Sequence, residues 1–88
     1  MEIIVYSSKS CGYCSNQKDF LNKNGIVFEE RDVNSNEQYL QEFEALGGVG
    51  VPFTLLKESG ETVAVISGFD KQKLSEILIQ TVGLKILG

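Results

Sequence analysis

The chain has 88 residues, 42% of them hydrophobic and 23% charged, which is enough to bury one core and too little for a second. Twelve acidic residues against eight basic ones leave a formal net charge of −4, which excludes a general attraction to nucleic acid or to anionic membranes and leaves proteins or small molecules as partners. With two cysteines and no histidine, one copy of the chain cannot assemble the four Cys and His ligands of a structural zinc site, and no metal is expected.

Glu2 to Ser7 carries the uninterrupted run Ile3-Ile4-Val5-Tyr6, the pattern of a short strand covered on both faces. That run is far shorter than a signal-peptide core or a membrane span, and Glu2 stands where a leader would carry a cation, so the expected compartment is the cytoplasm. From Tyr13 to Lys23 the apolar positions Tyr13, Cys14, Phe20 and Leu21 recur at helical spacing, with Gln17 between them and Lys18, Asp19 and Lys23 left for solvent. Asn24-Gly25 supplies the stop. Ile26 to Val33 begins apolar and β-branched and then turns charged through Glu29, Glu30, Arg31 and Asp32, as suits a strand nearer a sheet edge.

Asn34 to Gln38 offers two overlapping capping boxes, Asn34 with Glu37 and Ser35 with Gln38, ahead of a helix carrying Tyr39, Leu40, Phe43 and Leu46 and ending near Gly47. Gly47 to Pro52 is a loop that delivers the chain's one proline into the strand pattern Phe53 to Leu56. Glu58 to Glu61 reads as a turn and Thr62 to Ser67 as the second strand of a hairpin. After Gly68-Phe69, Asp70 caps a third helix with Leu74, Ile77, Leu78 and Val82 on its apolar face and Gly83 as its stop; Leu84 to Gly88 is too short to classify.

The order β-α-β-α-β-β-α predicts one α/β domain over residues 1–88. The first strand-helix-strand makes a right-handed parallel crossover and the later hairpin is antiparallel. The result is a central mixed four-stranded sheet flanked by three helices, with the first strand between the second strand and the hairpin.

Cys11-Gly12-Tyr13-Cys14 falls at the first strand-to-helix junction. A thiol at a helix N-terminus faces unsatisfied backbone N–H groups and the positive end of the helix dipole, both of which favour thiolate. Cys11 is therefore the expected nucleophile, and Cys14, one turn further in, is placed to resolve a mixed disulfide. Lys9, two residues earlier, is in reach to add positive charge, or else is a solvated loop lysine. Without histidine, a general acid has to be Cys14, solvent, a carboxylate or a lysine. Two other readings of the pair stand beside this one. In the first the thiols are inert core fillers; in the second they ligate a metal or iron–sulfur centre shared by two subunits, with glutathione completing the ligand set.

Cys11-Gly12-Tyr13-Cys14, Val51-Pro52 and Ser67-Gly68-Phe69-Asp70 together resemble the three landmarks of the glutaredoxin family, over nearly the whole chain. The resemblance implies the thioredoxin fold. It also implies a thiol-disulfide oxidoreductase that reduces protein disulfides or glutathione mixed disulfides, with no tightly bound cofactor and with glutathione as reductant. It implies a cis Val51-Pro52 bond facing the dithiol, where the Val51 backbone pairs with an extended substrate or with the cysteinyl part of glutathione. Tyr13 is then a wall of the groove, and the turn Gly68, Phe69 and Asp70 takes the γ-glutamyl end; the residues alone read equally as a surface aromatic, a turn glycine, a core plug and a helix cap. Ser67-Gly68-Phe69 and the spacing also resemble NrdH-type redoxins, which adds thioredoxin reductase or ribonucleotide reductase as alternative partners of a monomer. The chain departs from the family pattern at three places. Gly12 replaces the usual proline, Ser8 stands where a basic residue is common with Lys9 displaced by one, and the loop Gly47 to Gly50 lacks a basic or amide side chain for the glycyl carboxylate of glutathione.

Overall fold

β1 (Glu2–Ser7) is buried from Ile3 onward, as a strand with no polar alternation must be if both of its faces are covered. The computed structural model, which describes residues 2–76, places this strand inside a four-stranded sheet of order β2-β1-β3-β4. β2 (Glu29–Asp32) runs parallel to β1 with Val5 opposite Glu30. β3 (Phe53–Glu58) runs antiparallel on the other side, with Val5 opposite Thr54, and pairs in turn with the edge strand β4 (Glu61–Ser67). Helices α1 (Gly12–Lys23) and α2 (Glu37–Ala45) form the two crossovers, and the chain is helical again over residues 71–76, the start of α3. The expected order and the expected position of β1 are both found.

Because successive strand side chains point to opposite faces, the apolar run of β1 feeds two cores. Ile3 and Val5 join Leu21 of α1, Leu56, Ile66 and Leu74 on one face, with Phe20, Ile26, Phe28 and Phe69 packed around them. Ile4 and Tyr6 join Val33, Phe43 of α2, Phe53 and Leu55 on the other. Arg31 locks α2 to β2: it pairs with Glu42 at 2.7 Å and with Glu29, and its guanidinium lies over the rings of Tyr6 and Tyr39.

Several boundaries differ from those the sequence suggests. The second strand is Glu29–Asp32 rather than Ile26 to Val33. The Ile26 N–H still donates to Leu21 O, and Ile26 and Phe28 are spent on closing the core beneath α1 instead of on the ladder. The cap of α2 is Asn36, not Asn34 or Ser35. Its side chain accepts from Gln38 N at 2.9 Å and Tyr39 N at 3.2 Å, while Asn34 N and Ser35 N donate to the carboxylate of Asp32. α1 starts one residue earlier, at Gly12, and β3 extends to Glu58. The expected contributions of Ile77, Leu78, Val82 and Gly83 to α3 lie outside the described residues. Among the described residues no helix is long and apolar enough to cross a membrane.

Candidate active site

The turn between β1 and α1 is closed by Cys11 N donating to Ser8 O at 3.1 Å, which leaves Cys11 in extended conformation as the N-cap of α1. In place of the usual oxygen, the cap acceptor is sulfur: Cys14 N donates to Cys11 Sγ at 3.2 Å. The helix thus satisfies one of its unpaired N–H groups with a sulfur atom at the positive end of its dipole. Cys11 is half-buried, unpaired with any other sulfur, and its thiol donates to the carbonyl oxygen of Val51 at 3.5 Å. The Val51-Pro52 bond is cis. Two segments 40 residues apart therefore meet at one sulfur atom.

Cys14 is only 1% exposed. Its thiol is pushed up to about 12, first by desolvation and then by the neighbouring Cys11, against the opposing pull of the Ser8 backbone and the Lys18 charge. The two sulfurs are hence unequal, the outer one accessible and the inner one held protonated. Beneath them lies a polar layer. Gln17, fully buried one turn beyond Cys14, donates from Nε2 to Thr54 Oγ1 on β3, and its Oε1 has no partner. Beside it Lys18 pairs with Glu30 at 2.7 Å, and Ser7 Oγ donates to the same carboxylate oxygen at 2.8 Å. The Lys18 ammonium holds the Glu30 carboxyl below its ordinary value, and Glu30 in return raises Lys18.

Of the other expected residues, Val51 and Pro52 are brought to the dithiol. Gly68 is joined to them by its N–H, which donates to Pro52 O at 2.8 Å, and its φ of 76° suits a residue without Cβ. Tyr13 projects outward, 68% exposed, and Val49 stands 99% exposed on the loop before Val51. Asp70 caps α3, accepting from Lys73 N at 3.0 Å. Phe69 packs edge-on against Phe20 with Lys71 over its ring, so it serves the core as well as the turn. Lys9 is exposed, and its charge acts on Asp32, whose carboxyl is held low chiefly by the Asn34 N–H. Four residues of this arrangement, Gln17, Lys18, Glu30 and Thr54, were not singled out from sequence. A signal existed for Gln17, since residues 14, 17 and 21 lie on one helical stripe. Among the described residues no three His, Cys, Asp or Glu side chains cluster as a metal site.

The family model described as glutaredoxin matches residues 3–66. The chain belongs to the glutaredoxin family. Among relatives, it is 33% identical to the SPbeta prophage-derived thioredoxin-like protein YosR of Bacillus subtilis, over 79 residues that make up 89% of this chain and 95% of that protein. A 38-residue stretch is 40% identical to the N-acetyl-S-hydroxy-L-cysteine reductase of Bacillus subtilis, spanning 43% of this chain and 41% of the reductase, less than half of that protein's length. The crystal structure of the thioredoxin-like protein BC3987 superposes with a TM-score of 0.73 at 28% identity, covering 85% of this chain and 97% of that one. The NrdH-redoxin of Escherichia coli superposes at 0.75 with 21% identity, covering 86% and 93%, a likeness of fold. This glutaredoxin-family member is thus a thioredoxin-fold redox protein with a Cys pair at its strand-to-helix turn.

Proposed function

We propose that this glutaredoxin-family protein is a thiol-disulfide oxidoreductase in which Cys11 attacks and Cys14 resolves. The observation that carries the proposal is the unequal setting of the two sulfurs: Cys11 caps α1, half-buried, while Cys14 is buried and held protonated. The Cys11 thiolate attacks one sulfur of a substrate disulfide, forming a Cys11–substrate bond as the S–S bond breaks and the first thiolate leaves to take a proton from water. Cys14 then gives up its proton to water and attacks Cys11 Sγ, forming the intramolecular disulfide and expelling the second thiolate. Two electrons pass to the substrate, and two glutathione thiols return them, leaving glutathione disulfide. Disulfide-containing proteins and glutathione mixed disulfides in the cytoplasm are the substrates, and the protein acts as a monomer without a tightly bound cofactor.

A second reading, an NrdH-like carrier reduced by thioredoxin reductase and serving ribonucleotide reductase, is favoured by the rim of the site. The loop Gly47 to Gly50 presents Val49 with no cation or amide, and the Lys9 charge acts on Asp32. Reduction of a protein disulfide and of a glutathionylated peptide, each driven by NADPH with glutathione and its reductase or with thioredoxin reductase, separates the two readings. In both, Cys11→Ser abolishes turnover; a Cys11→Ser variant that keeps the wild-type rate would refute the dithiol proposal altogether.

A further inference from the structure

Resolution requires Cys14 to ionise where it is almost fully buried, so the groups around it decide how fast that happens. On α1 these are Cys11, the neutral amide of Gln17 and Lys18. β3 contributes Thr54 and the loop before it Pro52, both uncharged, and the turn before α3 contributes Gly68 and Phe69, also uncharged. The end of β1 offers the Ser8 backbone and the Ser7 hydroxyl. β2 contributes Glu30 and, two residues on, Asp32, to which the charge of Lys9 is directed; Arg31 faces the other layer, toward Tyr6 and Glu42. Among the described residues the layer under the dithiol therefore holds no carboxylate, and the charged pair beside it is Lys18 with Glu30. Lys18 follows Cys14 by four residues, so both lie on one face of α1. Its ammonium is tied 2.7 Å from Glu30, and Glu30 is itself fixed by Ser7 at 2.8 Å.

We propose that Lys18 is a positioning residue for the resolving step, a cation fixed by Glu30 and Ser7 that favours the thiolate of Cys14, with Glu30 attenuating its field. The inference rests on the dithiol reading above and adds the group that governs its second half. The charge acts in the expected sense, since Lys18 opposes the burial that keeps Cys14 protonated. Because the pair is partly exposed, removing either partner costs little folding stability.

The test uses the full chain with a fluorescein-labelled peptide disulfide as probe, following formation of the Cys11 mixed disulfide and its release separately by rapid quench across neutral to alkaline pH. Formation is expected to vary by less than about twofold among wild type, Lys18→Gln, Lys18→Arg and Glu30→Gln, because Lys18 is paired with Glu30 while the sulfur of Cys11 bonds to Cys14 N and Val51 O. Release is expected to slow about three- to tenfold in Lys18→Gln, since a loss of thiolate is partly offset by the higher nucleophilicity of a more basic thiol. Lys18→Arg restores it, and Glu30→Gln accelerates it by about twofold or more by freeing the ammonium. Release in Lys18→Gln at the wild-type rate at every pH overturns the proposal. So does slowing of Glu30→Gln alongside Lys18→Gln, which would make the pair a structural tie. If wild type forms no Cys11 mixed disulfide, the dithiol reading falls and this inference with it.

Discussion

The buried pair Gln17 and Thr54 makes a quantitative prediction that distinguishes a hydrogen bond's gross strength from its net value. Both side chains are 0% exposed, the bond joins α1 to β3 directly behind Cys14 and Pro52, and Gln17 Oε1 is already without a partner. Thr54→Val keeps the shape but strips the amide N–H groups of their acceptor, so the amide is left wholly unpaired at a cost of about 1–3 kcal/mol. Gln17→Leu removes the unpaired oxygen together with the bond and strands one hydroxyl, so its cost is smaller, about 0–1.5 kcal/mol. Replacing both members leaves an apolar contact of similar volume and no unmet polar group, and the double variant is expected within about 1 kcal/mol of wild type, on either side. Urea unfolding of the four proteins closes the cycle, with thermal midpoints as a check at about 4–8 °C per kcal/mol for a chain of this size. A double variant as unstable as the sum of the two single ones would refute the reasoning, because the unpaired groups would then not be what costs stability.

Other expectations can be checked on the same proteins. A Cβ at Gly48 would come within 2.7 Å of Phe43 Cζ and closer to other ring atoms, so Gly48→Ala should lose about 1–3 kcal/mol in denaturant unfolding as the buried ring is displaced. Around Gly12 a Cβ meets nothing within 4 Å, and the residue is the first of α1, so Gly12→Pro should raise stability by about 0.4–1 kcal/mol and the thermal midpoint with it. Asn36→Ala removes the acceptor of two N–H groups at the start of α2 and should cost about 0.5–2 kcal/mol, measured by urea unfolding. The raised Cys14 thiol makes the reduced protein alkali-sensitive: the neutral form is preferred by the fold, so this stability is complete below the ordinary thiol range near about 8.5 and is lost as pH climbs from there toward about 12. Unfolding followed against pH should show that slope in wild type and a flatter one in Cys14→Ala.

The parts of the fold that could be read from sequence are those where one signal has no competitor. The run Ile3 to Tyr6 has no alternation and so admits only a central strand, and Phe53 to Ser67 carries a hairpin turn between two apolar stretches; both stand as expected. The start of α2 could not be read because Asn34, Ser35 and Asn36 are all competent caps, and the choice falls to Asn36 only once the carboxylate of Asp32 has taken the N–H groups of the first two. Ile26 and Phe28 look like strand because they are apolar, yet what they satisfy is the space under α1. At the site, the cap position of Cys11 follows from the strand-to-helix junction, whereas Lys18 reads as solvent-facing and Gln17 as a polar residue set between apolar positions, with no partner indicated for either. Their burial and pairing depend on Thr54 and Glu30, which only the sheet register brings beneath α1.

The same register explains why one short motif yields two different thiols. β1 is buried up to Ser7, so the turn that follows starts inside the protein and climbs outward, and the first helical turn carries Cys11 at its outer end and Cys14 at its inner end. Ser8 serves both ends at once: its carbonyl fixes Cys11 N, and its backbone opposes the burial of Cys14. On the proposed chemistry the sharing has a direct consequence. When Cys11 is consumed in a mixed disulfide its sulfur becomes a poorer acceptor for Cys14 N, the cap weakens, and the neighbouring sulfur loses the interaction that helped hold its proton. On that chemistry the capture step removes one of the causes that keep Cys14 protonated.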